Sequence, residues 1–133
     1  MKMLTNAKAM TLAAIGSIND AYGDKARDEQ ETLGLISDMV MDVYAMESAL
    51  LRTQRLISDK GEENVSVQID IARLYTRDAI SRIEKASLTV AVEVGNDKTI
   101  EAINELFHHA PIKAIAARRR VADSVIQAGK YNL

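Results

Sequence analysis

Few residues in this 133-residue sequence have the chemistry of a catalytic or metal site. The absence of cysteine excludes disulfides, thiolate metal sites and cysteine nucleophiles. The two histidines, His108 and His109, are adjacent, and neighbouring side chains on a helix do not face each other as an i, i+4 pair does. No serine, histidine and aspartate can be assigned to a triad from their order alone. We therefore predict no metal site and no catalytic residue.

Glu47 is the best single candidate for acid–base chemistry. It lies on a seam of a predicted helix that is apolar apart from Glu47 and Gln54, and a carboxylate buried there can act as a general acid or base. The alternative is a structural carboxylate that pairs with an arginine such as Arg52, Arg73 or Arg82. We favour the structural interpretation, because charge pairs between helices are far commoner than catalytic acids.

Three consecutive arginines, Arg118, Arg119 and Arg120, make the final segment basic. From Ala110 onward five basic residues and one acidic residue give a charge of +4, whereas residues 24–63 have ten acidic and five basic residues, a charge of −5. The two segments can attract each other within the fold or across an interface. The second hypothesis is a site for phosphate or for an anionic membrane face. We favour structural pairing.

The composition predicts an all-α fold in a single domain over residues 1–133. There are one proline and six glycines, aromatic residues make up 4%, and the other residues are mostly strong helix formers. We predict a bundle of three long helices followed by one or two shorter C-terminal helices. The predicted helices span residues 3–22, 25–59, 66–94, 97–108 and 111–128.

The second predicted helix contains the clearest apolar seam. Val43 and Leu50 lie in the middle of this seam, which runs from Leu35 to Ile57, so we predict that both are buried. Met39 and Met46 belong to an adjacent seam. We expect this helix to be the central packing element, in contact with both other long helices or with a second subunit.

Turn and capping residues predict the helix ends. Asp24 and Ser66 are candidate N-caps of the second and third helices. Pro111 suits the first position of the last helix, and Gly129 ends that helix.

One stretch of the second helix has a recognisable pattern. The run Ser37-Asp38-Met39-Val40-Met41-Asp42-Val43-Tyr44-Ala45-Met46-Glu47-Ser48-Ala49-Leu50-Leu51-Arg52-Thr53 resembles the C-terminal helical extension of very-long-chain-type acyl-CoA dehydrogenases and their Gram-positive bacterial relatives. The closing Ala116-Ala117-Arg118-Arg119-Arg120-Val121-Ala122, with Tyr131 near the chain end, resembles the basic last helix of the same extension.

The resemblance implies a domain without the enzyme's active site. The family's catalytic glutamate and its FAD- and acyl-CoA-binding segments belong to the preceding dehydrogenase body, and no position here matches them. We therefore predict no cofactor-binding residue in this chain and expect FAD only in an associated body. The resemblance implies an excised domain or a truncated open reading frame.

The leading hypothesis is a non-catalytic interaction domain of an acyl-CoA dehydrogenase of fatty-acid β-oxidation. It would dock on the dehydrogenase body or self-associate, with a homodimer expected. The alternative is a stand-alone helical protein that binds an anionic or acyl ligand between its helices. A net charge of −2 argues against a nucleic-acid partner. The sequence shows neither a targeting signal nor a convincing amphipathic membrane segment, so we expect a cytoplasmic protein.

Overall fold

A computed structural model describes residues 1–106 and 111–133, and these residues form five α-helices and no strand. Two 3-10 turns, Gly23–Asp28 and Glu62–Val65, connect the first three helices. The all-α prediction is confirmed. The helices are α1 (Lys2–Tyr22), α2 (Gln30–Lys60), α3 (Ser66–Glu93), α4 (Asp97–Leu106) and α5 (Ala114–Ala128).

Helix α3 is the centre of the bundle. It packs against α1, α2, α4 and α5, whereas α2 packs against α1 and α3. The prediction that α2 contacts both other long helices is therefore confirmed, but the prediction that α2 is the central element is wrong. The physical reason is that α3 has buried residues all along its length, from Asp70 to Ala91, and so presents several faces to neighbours.

Small and large side chains share the core to which α1 and α3 contribute. Ala7 and Ala14 of α1 and Ala79 and Ala91 of α3 are fully buried in it, together with the larger Met10, Ile80 and Ile83. Helices α1 and α3 are in contact, and a core of mixed side-chain sizes can be packed densely.

The buried line of α2 differs from the predicted one. Thr32, Met39 and Met46 are buried, at intervals of seven residues, whereas Val43 and Leu50 are half-buried and pack on the flank of the core. Two neighbouring apolar seams run along this helix, and periodicity alone cannot rank them. The adjacent methionine seam is the one that faces the core.

The start of α2 lies later than predicted. The polar residues after Tyr22 form a 3-10 turn, and α2 begins only at Gln30. Asp24 therefore lies within the turn and does not cap α2. The backbone of Glu29, with φ −87° and ψ 65°, is not helical and separates the two elements.

The other predicted helix ends are partly correct. Ser66 is the first residue of α3, which has no side-chain cap because the preceding 3-10 turn leads directly into the helix. Pro111 lies before α5, since Lys113 has non-helical backbone angles and the helix begins at Ala114. Gly129 ends α5 as predicted, with the left-handed φ of 63° that favours glycine.

Candidate interaction site

Glu47 forms a bridge between α1 and α2. Its Oε1 accepts a hydrogen bond from Lys8 Nζ at 2.7 Å, and the side chains of Lys8 and Glu47 are 44% and 41% exposed. The structural interpretation of Glu47 thus identified the right role, but its partner is a lysine and not one of the three arginines. An exposed, paired carboxylate at a helix–helix seam does not have the dry surroundings of a catalytic acid.

We expect Glu47→Gln to change stability little. Solvent screens this half-exposed pair, so the free energy of unfolding should fall by no more than about 1 kcal/mol. Urea denaturation monitored by circular dichroism measures this value, and Asp59→Asn, which removes another exposed ion pair on α2, is the matched control. A loss several times larger than that of the control would contradict the assignment of Glu47 as a surface pair.

Asp42 joins α2 to α3 through hydrogen bonds with Tyr75 and Arg82 that the sequence did not indicate. The Tyr75 hydroxyl donates a hydrogen bond to Asp42 Oδ1 at 3.0 Å, and Arg82 donates two to the same carboxylate, at 2.9 and 2.6 Å. The Arg82 guanidinium also lies 5.7 Å from the centroid of the Tyr75 ring. Burial and the hydrogen bond to Asp42 raise the pKa of Tyr75. The hydrogen bonds to Asp42 also raise the pKa of Arg82.

The arginine run pairs with α3 and not with the acidic residues 24–63. Arg118 donates a hydrogen bond to Asp78 at 2.9 Å, and Arg120 donates two to Asp70, at 2.7 and 2.9 Å. The hydrogen bonds from Arg120 hold the pKa of Asp70 below its usual value. Two of the three arginines therefore form structural ion pairs, whereas Arg119 is exposed and has no ion pair with any described residue.

The described residues offer no metal site. His108 and His109 lie outside the described residues, so the prediction about them is not tested by the structure. In residues 1–106 and 111–133, no three histidine, aspartate or glutamate side chains come together as metal ligands would. Among the same residues, Asp70 is the only charged residue that is buried, and Arg120 neutralises it.

A cavity of about 410 Å³ opens where α1 begins. Its walls come from the start of α1, the second half of α2, the first half of α3 and Ile112. The wall is mainly apolar, and Thr76 of α3 contributes a buried hydroxyl that has no hydrogen-bond partner among the described residues. This feature could not be identified from the sequence, because Thr76 gives no signal there that distinguishes it from the other threonines.

Large apolar side chains also remain on the outer surface. Tyr44 and Leu51 of α2 and Ile115 and Ile126 of α5 are more than half exposed. Exposed apolar side chains that lie near one another are typical of surfaces that contact another protein. Within the described ranges, no helix has both the length and the apolar character needed to cross a membrane.

Comparison with known proteins accounts for this arrangement. Residues 6–103 match the family model described as "Acyl-CoA dehydrogenase, C-terminal domain". A "Probable acyl-CoA dehydrogenase" of Bacillus subtilis (strain 168) is 32% identical over 136 residues, which cover 98% of this chain and 23% of the relative. A crystal structure of an acyl-CoA dehydrogenase complexed with FAD from Bacillus anthracis superposes with a TM-score of 0.94 at 28% identity, covering 99% of this chain and 23% of that one. The chain thus spans about a quarter of the length of each of these two proteins.

Proposed function

We propose that this chain, which belongs to the acyl-CoA dehydrogenase C-terminal domain family, is a non-catalytic helical domain that docks on the body of an acyl-CoA dehydrogenase of fatty-acid β-oxidation. The observation that supports this most is the match of nearly the whole chain, at a TM-score of 0.94, to 23% of an acyl-CoA dehydrogenase. This chain and the matching part of the Bacillus anthracis enzyme have the same helical fold at 28% identity. The packing of the helices is therefore common to both.

We assign FAD and the acyl-CoA substrate to the dehydrogenase body. A dinucleotide needs backbone N–H groups at a helix start or free cations against its pyrophosphate. Arg118 and Arg120 are already paired with carboxylates of α3, so among the described residues of the arginine run only Arg119 is left as a free cation. The contribution of this chain is to pack against the body and hold it in its assembly. A cytoplasmic location and a dimeric enzyme are parts of the same proposal.

A second candidate is a stand-alone protein that binds an acyl or anionic ligand. The observation in its favour is the mainly apolar cavity of about 410 Å³, which lies within the size range of small-molecule pockets. The polar groups around the mouth of this cavity favour a protein partner instead.

Co-expression tests the proposed docking. The tagged chain is produced together with the part of the Bacillus subtilis relative that precedes the stretch matched here. We expect the two to co-purify in a 1:1 ratio, with flavin absorbance in the complex and none in the chain purified alone. Light scattering coupled to size-exclusion chromatography gives the stoichiometry. A well-folded, flavin-loaded body that elutes apart from the chain would contradict the proposal.

A further inference from the structure

We propose that the dehydrogenase body docks at the cavity where α1 begins. The body would fill the cavity with an apolar side chain and offer a backbone carbonyl or other acceptor to Thr76. This inference rests on the proposed function and adds to it the surface that docks. The feature is called the α1 cavity below.

The α1 cavity has the shape and chemistry of an anchor pocket. Three helices and the segment before α5 contribute to it, so its walls are held by the fold itself. Apolar pockets that an inserted side chain fills are where binding energy concentrates in protein interfaces. The apolar residues of its wall are Met1, Met3, Leu50, Ile57, Ile69, Ala72 and Ile112.

Thr76 lines the cavity, and its hydroxyl is buried without a hydrogen-bond partner among the described residues. Thr76 is 6% exposed, and its Oγ1 is the one buried side-chain oxygen or nitrogen in the described residues that has no partner. Three other buried helical hydroxyls are satisfied by the preceding turn: Thr11 donates to the Ala7 carbonyl at 2.9 Å, Ser17 to the Ala14 carbonyl at 2.8 Å and Ser87 to the Glu84 carbonyl at 2.9 Å. An unpaired buried hydroxyl costs free energy, and an incoming acceptor recovers it once the Thr76 side chain turns its hydroxyl toward the cavity.

The rim of the cavity favours a protein over a fatty acid. Gln54, Glu62 and Arg73 line it and are exposed, and none of them has a hydrogen bond or ion pair with another described residue. An apolar centre with a polar rim of mixed charge is typical of protein–protein interfaces. Arg77 also lines the cavity but is paired with Asp78, so a lone carboxylate entering here would meet one unpaired cation, Arg73, beside the acid Glu62.

The position of the cavity agrees with this partner. The family model describes a C-terminal domain, and this chain covers 23% of each relative compared here, so the remaining length supplies a body that precedes the domain. In a protein of this family the C-terminal domain follows the rest of the chain, so that rest adjoins the N-terminal side of the matched residues 6–103, where α1 lies. Met1 and Met3, which begin α1, are part of the cavity wall. The pocket therefore lies beside the point where the two parts meet.

Two substitutions of Thr76 test the proposal in the co-expressed complex. Thr76→Met places a longer side chain in the cavity, and we expect it to weaken binding of the body by at least about tenfold. Thr76→Val removes only the hydroxyl and keeps the shape, and we expect a loss of about three- to tenfold. Thr76→Val should also raise the melting midpoint of the isolated chain, because the unpaired hydroxyl is gone. The matched control is Thr89→Met, the same change at an exposed position of α3.

Titration calorimetry with the purified body separates the outcomes. If the wild-type chain does not bind, both the proposed function and this inference are wrong. If the wild type binds and both Thr76 variants bind as tightly as Thr89→Met, the body docks elsewhere and only this inference is overturned. Should Thr76→Met misfold, the binding loss of Thr76→Val decides.

The isolated chain tests the other occupants of the cavity. We expect that neither decanoate nor a second copy of the chain binds in this cavity, so neither added decanoate nor a higher protein concentration should raise the melting midpoint by such binding. A rise with decanoate in the wild type that Thr76→Met abolishes would assign the cavity to an acyl ligand. A rise with protein concentration that Thr76→Met abolishes would assign it to a second copy of this chain. Either result would overturn the proposal.

Discussion

Met46→Ala is expected to reduce the free energy of unfolding by about 2–5 kcal/mol, the usual cost of truncating a buried methionine in a packed core. Met46 is 0% exposed and lies on the line of α2 that faces the core. A domain of this size is typically stable by only about 5–15 kcal/mol, so the substitution removes a large part of the total. Chemical denaturation of the purified chain measures the change.

Leu50 and Leu51 provide the matched comparison in the same helix. Leu51 is 57% exposed, so Leu51→Ala should change stability by no more than about 0.5 kcal/mol. Leu50 is half-buried against the core, so Leu50→Ala should fall between Leu51→Ala and Met46→Ala. A larger loss at Leu50 than at Met46 would show that the Val43–Leu50 seam faces the core after all, and equal losses in the three variants would contradict the ranking by burial.

The helices could be predicted from the sequence because their apolar spacing and their breaks agree. One proline, glycines at the loops and apolar residues at three- and four-residue steps all indicate helices near the observed bounds. The rotation of α2 about its axis could not be predicted, since both of its seams are apolar. The turn at Gly23–Asp28 was missed because its polar residues are compatible with a helix start.

The partners of the charged residues were harder to predict than their roles. Glu47 and the arginine run were expected to form structural pairs, and they do so with Lys8 on α1 and with Asp70 and Asp78 on α3. Charge totals over long segments pointed to residues 24–63 instead, because such totals ignore which faces meet. Pairing depends on the rotation and register of packed helices, which a charge count does not contain.

Helix α5 is joined to α3 by two ion pairs and by little fully buried apolar surface. It packs only on α3 among the described elements, and Ala117 is its one buried residue. Arg118–Asp78 and Arg120–Asp70 are the pairs that join it to α3. An element with little buried apolar surface opens locally at a lower free energy than the core does. We therefore expect the attachment of α5 to be the first part of the fold that responds to the loss of these charges.

Acid is expected to release α5 before the rest of the bundle unfolds. Arg120 lowers the pKa of Asp70 in the folded state below its unfolded value. The stabilisation from this pair is therefore complete at any pH above the unfolded pKa, and it is lost as the pH falls through the folded pKa. Hydrogen exchange, corrected for the intrinsic pH dependence of each amide, should show protection in α5 decreasing as the pH falls below about 4, the unfolded pKa of aspartate, while the Ala79–Ile83 region of α3 stays protected.

The variant Asp70→Asn with Asp78→Asn should show the same released α5 at neutral pH, because neither carboxylate is then available to Arg118 and Arg120. Its α5 protection should also no longer change between neutral and acidic pH. Asp59→Asn, which removes an exposed pair with Arg55 on α2, is the control and should leave α5 protected at neutral pH. If α5 in the double variant is as protected as in the wild type, packing through Ala117 is sufficient to hold it and the ion pairs are not what attaches this helix.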